Sequence, residues 1–173
     1  MKGLYRHAGE TRVTRCTRPG RGWNHVAPPA VLIAVEQVTI SGGTGFLDVN
    51  KRARAELPQA LRIALATGQL RRPLATTLGP VLDLLVDGDY RVSGPERVPD
   101  DQSLTPTDTW PPSDEARVGY YRTAIRTGHR PVAVVLGDGE RELILDGHHK
   151  IAAYRAEEIA PAVVRIAQAY SAS

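Results

Sequence analysis

Asp146-Gly147-His148-His149-Lys150 gathers an acid, a glycine, two imidazoles and an ammonium in five consecutive positions. The preceding Leu143-Ile144-Leu145 is a short apolar run, and Ile151, Ala152, Arg155 and Ile159 then recur on one side of a helix. The cluster is therefore expected where a strand ends and a helix begins. There the first backbone N–H groups lack partners within the helix, and the helix dipole is positive, which favours an anion. Gly147 lets the backbone approach a ligand or take a positive φ. Lys150, one of only three lysines, adds a point charge within the first turn, and His148 and His149 can donate to phosphate oxygens. Asp146 repels a bare anion, so it is expected on magnesium or as a base. The same five residues also read as an Asp-Gly turn before a polar helix start, and their types alone leave both readings open.

Other candidates are weaker. Adjacent histidines seldom bind one metal, His129 is the one further histidine nearby, and Cys16 is the single cysteine. No zinc centre and no internal disulfide are expected, and a reducing cytoplasm is the expected setting. Ser41-Gly42-Gly43-Thr44-Gly45 lacks the Gly-Lys-Ser/Thr of a phosphate loop, so it reads as a structural turn. Asp87-Gly88-Asp89 lacks the later ligands of a calcium loop and reads as a turn as well.

The elements that must position the cluster follow from periodicity and punctuation. The β-branched run from Val31 to Ile40, the glycine turn and Phe46–Val49 predict a hairpin. Leu57, Leu61, Ala64 and Leu65, closed by Gly68, predict one helix; Leu74, Leu78, Val81, Leu82 and Leu85 predict a second, ending near Gly88. Residues 94–112 hold five prolines, which exclude a helix and predict an extended crossing segment and the best candidate boundary. Ser113 is placed to cap a helix that carries Asp114 and Glu115 in its first turn, with Val118, Tyr121 and Ile125 inward and Gly128 as its stop. Pro131–Leu136 and Leu143–Leu145 form a strand pair, and Pro161–Ile166 a final strand. The order is that of a mixed α/β (α+β) sheet.

At 173 residues and 42% hydrophobic composition, one domain with a buried core, or one domain plus an appendage, is expected. The longest apolar stretch, Ala30–Val35, is six residues, far below the roughly 18 needed to span a bilayer. No basic segment leads into an apolar one near the start, so no secretory signal is expected. Lys2, Arg6, Arg12, Arg15, Arg18 and Arg21 face the single acid Glu10 within residues 1–25, while the whole chain carries only +3. The body is thus slightly acidic, and the basic arm reads either as a solvated leader or as a contact for phosphates or an acidic partner.

From about Arg97 to Ile166 the chain resembles the ParB/sulfiredoxin superfamily. The residues that carry the likeness are Arg126-Thr-Gly-His-Arg-Pro131, Val132–Leu136, Leu143-Ile-Leu-Asp-Gly-His-His-Lys-Ile-Ala-Ala153 and Pro161-Ala-Val-Val164. The resemblance implies a nucleotide-binding core over residues 91–173. Before it would lie a hairpin plus two-helix extension over 29–90 and a basic, largely irregular arm over 1–28. It departs from partition ParB proteins, whose turn continues Gly-Glu-Arg-Arg-x-Arg-Ala, because two of those arginines are lost to His149 and Ala152, and Lys150 stands in the place of the third. The chain also ends soon after the last strand, where those proteins continue into DNA-reading and dimerisation domains. Sulfiredoxin chemistry needs a cysteine where this chain has His148. The Asp-Gly-His-His-basic string is most similar to the free-serine-kinase branch.

The resemblance therefore implies a phosphotransferase that uses ATP or another nucleotide (ADP, CTP) with Mg2+ on a small hydroxyl-bearing metabolite. Gly147, His148, His149 and Lys150 would hold phosphates with Arg130 as a further contact, and Asp146 would act with Asp114 or Glu115 as second carboxylate. The alternative is a ParB-like nucleotide-binding module, CTPase or nuclease-like, associated with DNA through the basic arm. No membrane partner is expected, and the oligomeric state is not legible.

Overall fold

The computed structural model describes residues 34–45, 57–99, 103–137 and 141–169. Residues 1–33, 46–56, 100–102, 138–140 and 170–173, with them the basic arm and the expected returning arm of the first hairpin, lie outside the described residues.

Among the described residues, six strands form one mixed sheet. In chain order they are β1 (Val35–Ile40), β2 (Gly88–Arg97), β3 (Leu104–Pro106), β4 (Val132–Gly137), β5 (Glu142–Asp146) and β6 (Ala162–Gln168). Across the sheet the order is β1-β2-β6-β4-β5-β3. β1 pairs antiparallel with β2, β2 with β6, and β4 with β5, whereas β6 runs parallel to β4 and β3 parallel to β5. The helices are α1 (Gln59–Thr67), α2 (Leu74–Thr77), α3 (Gly79–Leu82), α4 (Glu115–Arg126) and α5 (His148–Ala156). The α+β class expected from the sequence is the class observed.

The central strand β4 shows why the sheet is double-sided. Val132 and Val134 join Ala162, Val164 and Ile166 in the larger core, which α1 to α4 cover with Leu61, Leu65, Leu74, Leu82, Tyr121 and Ile125. Ala133 and Val135 face the other way, into a smaller core with Val98, Leu104, Ile144, Ile151 and Val163. Alternate side chains of one strand thus enter opposite cores, which is why the run is continuously apolar.

Several expectations are corrected in detail. β1 finds its antiparallel partner in β2, about fifty residues on. The glycine turn after it is tied to the stretch before β2: Gly43 N–H donates to Asp87 Oδ1 at 2.7 Å, and Thr44 N–H to the Asp83 carbonyl at 2.9 Å. A Cβ on Gly43 would lie 2.2 Å from the Leu85 carbonyl oxygen, so close approach requires the glycine. The Asp87-Gly88-Asp89 carboxylates are engaged structurally, Asp89 Oδ1 accepting from Thr39 Oγ1 at 2.6 Å.

The second expected helix is two short ones, because Pro80 cannot donate to the Thr76 carbonyl and its ring crowds that oxygen. Its stripe of Leu74, Leu78, Val81, Leu82 and Leu85 is nevertheless buried. The proline-rich segment supplies two strands rather than a bare crossing. β2 runs through Gly94-Pro95 with a register shift between Ser93 and Glu96, and β3 closes the far edge of the sheet. β2 also crosses position 90/91 and pairs with both β1 and β6, so the segments on either side share one sheet. The cap of α4 is Asp114, whose carboxylate accepts from Arg117 N–H at 2.9 Å, rather than Ser113.

Candidate functional site

β5 delivers Asp146 to the edge of the core, and α5 starts two residues later. The turn between them rests on Gly147. It is the N-cap of α5 with φ 107° and ψ 22°, and its carbonyl accepts the Ile151 N–H at 2.9 Å, the first bond of the helix. A Cβ on Gly147 would meet Ala133 Cβ at 2.8 Å and Lys150 Cδ at 3.2 Å. Positive φ and close packing on β4 therefore both select glycine. A glycine cap brings no side chain of its own to the first-turn N–H groups, which point along the axis toward the Asp146 side of the junction.

Lys150 turns inward. Its ammonium donates to the Val132 carbonyl at 2.9 Å and to Asp146 Oδ2 at 2.6 Å, and its side chain is 5% exposed. Burial pulls the Lys150 pKa below the ordinary lysine value. The charge and hydrogen bond of Asp146 oppose that pull, and the positive charge of Arg117 adds to it. The Tyr121 ring lies beneath the ammonium, 6.0 Å to its centroid. Lys150 is thus a buried cation neutralised from within, and where the sequence reading placed it on phosphates the structure shows it tied to Asp146. Asp146 itself keeps a third of its side chain exposed.

His148 is held from the other side. Thr107, the residue after β3, donates its backbone N–H to His148 Nε2 at 3.1 Å. Its hydroxyl donates to the Ile144 carbonyl at 2.6 Å and stands 3.4 Å from the same nitrogen. The parallel β3–β5 edge is therefore fastened to the first residue of α5. His149 lies in the same first turn, half-buried.

α4 packs against α5 and brings Tyr121 and Arg117 to this end of it. Burial foremost raises the Tyr121 pKa, with the Asp146 charge acting in the same direction. The charge of Arg117 and its hydrogen bond to the phenol oppose the rise. Arg117 is exposed, so the α5 junction has a surface cation that the sequence reading did not single out.

The other expected residues fall elsewhere. Arg130 Nη1 donates to the Ile125 carbonyl at 3.1 Å and the His129 carbonyl at 2.7 Å, so it closes the C-terminal end of α4. Its charge bears on Tyr154, in the last half of α5. Asp114 is occupied as the α4 cap, and Glu115 is an exposed first-turn acid. Neither is brought into hydrogen-bond contact with Asp146.

Among the described residues, no group of three or more His, Cys, Asp or Glu side chains gathers as a metal-holding set. Among them, too, no helix is long and apolar enough to cross a membrane. No protein-family model, no curated protein and no solved structure matches this chain.

Proposed function

We propose that the chain is a nucleotide-dependent phosphotransferase that acts on a small hydroxyl-bearing metabolite at the Asp146–Lys150 junction. One observation carries the reading. A carboxylate oriented by a buried lysine stands immediately before the positive end of a nine-residue helix. An anion alone would be repelled by Asp146, and a cation alone by the helix end. A phosphate together with magnesium or a substrate hydroxyl satisfies both.

In this reading the Gly147–His149 turn and the α5 dipole hold phosphate oxygens, and Arg117 adds charge from α4. Lys150 fixes the carboxylate. Asp146 is the residue that would hold magnesium, whose usual binding through one or two carboxylates plus substrate phosphates it fits; the ion supplies charge neutralisation. With Oδ2 engaged by Lys150, Asp146 Oδ1 is the oxygen able to accept a substrate hydroxyl proton. Phosphoryl transfer asks mainly for such positioning and charge.

The test is to incubate the protein with ATP, ADP or CTP, magnesium and a panel of hydroxyl amino acids, and to follow phosphorylated product. Turnover lost in Asp146→Asn with nucleotide still bound supports the reading. Failure of all three nucleotides to bind overturns it. Nucleotide binding without transfer, together with DNA binding abolished by removing residues 1–25, would replace it with a DNA-associated module, whose binding should weaken steeply with salt.

A further inference from the structure

α4 buries Tyr121 and Ile125 in the larger core, with Val118 packed against it. On the opposite side Ala116, Tyr120, Thr123 and Thr127 are exposed. Their spacing of four, three and four residues is that of a seam between two helices. The outer face of a helix ordinarily carries charge, but these four side chains have none, and the charges stand at the ends, Glu115 in the first turn and Arg126 in the last. The threonine hydroxyls do not replace them. Thr123 Oγ1 donates to the Gly119 carbonyl at 3.1 Å, and Thr127 Oγ1 to the Thr123 and Ala124 carbonyls at 3.0 Å, so both protons are used within the helix. Gly119 leaves open space beside the seam, since a Cβ there would meet nothing within 4 Å. The recess along this face has a volume of about 400 Å³. Tyr120 stands at its side 62% exposed, the most exposed large apolar side chain among the described residues. One face thus holds both a projecting ring and a recess to receive one.

We propose that this face of α4 docks on the same face of a second copy, with the two helices antiparallel about a two-fold axis. Such an interface is self-complementary by construction, and size and charge both select the antiparallel direction. In that direction Tyr120 of one copy meets Thr123 and the Gly119 recess of the other, and Ala116 meets Thr127, so large packs against small. Parallel helices would set ring against ring. The charges agree. α4 is acidic where it starts, at Asp114 and Glu115, and basic toward its end, at Arg122 and Arg126. Antiparallel pairing brings Glu115 of each copy to the flank that carries Arg126 of the other, twice in one dimer. Arg126 engages Glu157 through Nε at 2.7 Å and keeps 60% of its side chain exposed, which leaves the rest of its guanidinium to a partner. An uncharged centre with an aromatic anchor and a charged rim is the composition of a protein interface. α4 is already folded and held by α5, so docking orders little. A helix of 12 residues is about 18 Å long and covers less than a standard interface. The dimer is therefore weak and reversible, with a dissociation constant on the order of 100 µM.

The experiment is analytical ultracentrifugation of the full chain over loading concentrations from about 10 µM to 1 mM, spanning that constant. The expected result is a monomer–dimer equilibrium. Tyr120→Ala should weaken association about tenfold or more, as loss of an aromatic anchor does. Thr123→Lys, which brings two like charges to the centre of the seam, should abolish it. Glu115→Arg and Arg126→Glu, each alone, should weaken it about fivefold or more, because two unlike pairs become like pairs. An equal mixture of those two variants restores unlike charges on both flanks and should associate as wild type does. All four positions are exposed, so each variant should keep the fold, which circular dichroism checks.

A wild type that stays monomeric at the highest concentration overturns the inference. So does a dimer indifferent to Tyr120→Ala or Thr123→Lys, which would place the interface elsewhere. A mixture of Glu115→Arg and Arg126→Glu no tighter than either variant alone overturns the antiparallel arrangement.

Discussion

Lys150 Nζ lies 2.6 Å from Asp146 Oδ2 and 2.9 Å from the Val132 carbonyl, so the lysine that stands in the motif as a ligand contact is engaged inside the protein. Removing it strands a carboxylate and a carbonyl together. Lys150→Met should therefore lower stability by roughly 2–4 kcal/mol in urea unfolding, less than for a fully buried pair because Asp146 is partly solvated. Nucleotide affinity should stay within about threefold, since no phosphate contact is lost, while turnover falls as Asp146 loses its orientation. A large affinity loss with unchanged turnover would return Lys150 to the phosphates.

Gly147 and Ala133 form a second coupled pair. Gly147→Ala adds a methyl 2.8 Å from Ala133 Cβ at φ 107°, so strain and overlap act together, and a loss of roughly 2–4 kcal/mol is expected. Ala133→Gly in the same chain removes the contact with Ala133 Cβ and leaves the strain together with the close approaches to Ala133 Cα at 3.0 Å and Lys150 Cδ at 3.2 Å. The double variant should recover part of the loss relative to the sum of the single changes, a coupling that a double-mutant cycle in urea measures. Strict additivity would mean that the Ala133 methyl takes no part in selecting glycine.

Arg130 gives a separation of roles. Its guanidinium closes the α4 end, so Arg130→Ala should cost about 1 kcal/mol through the two lost hydrogen bonds, although the Ile125 carbonyl keeps the Gly128 N–H, and leave nucleotide affinity unchanged. Arg117→Ala, at the opposite end of the same helix, should do the reverse, weakening nucleotide about tenfold with little loss of stability. Isothermal titration beside thermal unfolding checks both.

These contrasts show what was legible in the sequence. The strand–glycine–helix junction could be read because local rules create it: a short apolar run, a residue free to take positive φ, then a helical stripe. The inward turn of Lys150 could not. It depends on Val132, eighteen residues upstream, presenting a carbonyl beside the helix. Thr107 was invisible for the same reason, since its partner His148 is forty-one residues away and the tie exists only because β3 pairs with β5. β1 pointed to a nearby hairpin partner because local turns dominate the pattern. Among the described residues it pairs with β2, which lies between it and β6 in the sheet, while the expected returning arm lies outside them. Arg130 was expected as a further phosphate contact, and in the fold its Nη1 donates to the Ile125 and His129 carbonyls.

A charge cluster on the opposite sheet face was equally hidden. Arg165 on β6 bridges Glu96 on β2 and Glu142 on β5, and Glu142 is fully buried. Arg165→Met would leave two inward carboxylates without their shared cation and should cost roughly 3–5 kcal/mol. Glu142→Gln keeps one acceptor for Arg165, supplies a donor, and relieves the excess negative charge. It should cost far less, and chemical unfolding of the two variants side by side gives the order.

Tyr154 supplies the pH dependence. Its ring is fully buried, its hydroxyl donates to the Pro131 carbonyl at 2.9 Å, and burial pushes its pKa up to about 12, against a lesser opposing pull from Arg130 and Arg97. The folded state thus holds the phenol proton more tightly than the unfolded chain, where it leaves near the ordinary value of 10. A raised folded value means stability that is complete below pH 10 and is lost as pH climbs toward 12. The size of that loss is about 2–3 kcal/mol, two units at 1.36 kcal/mol each. Tyr154→Phe removes the titration together with the hydrogen bond. It should start about 1 kcal/mol less stable at neutral pH, then fall more shallowly than wild type between pH 10 and 12. Urea unfolding of both proteins across that range reads the difference, and parallel curves would mean that the Tyr154 hydroxyl reaches solvent in the folded state.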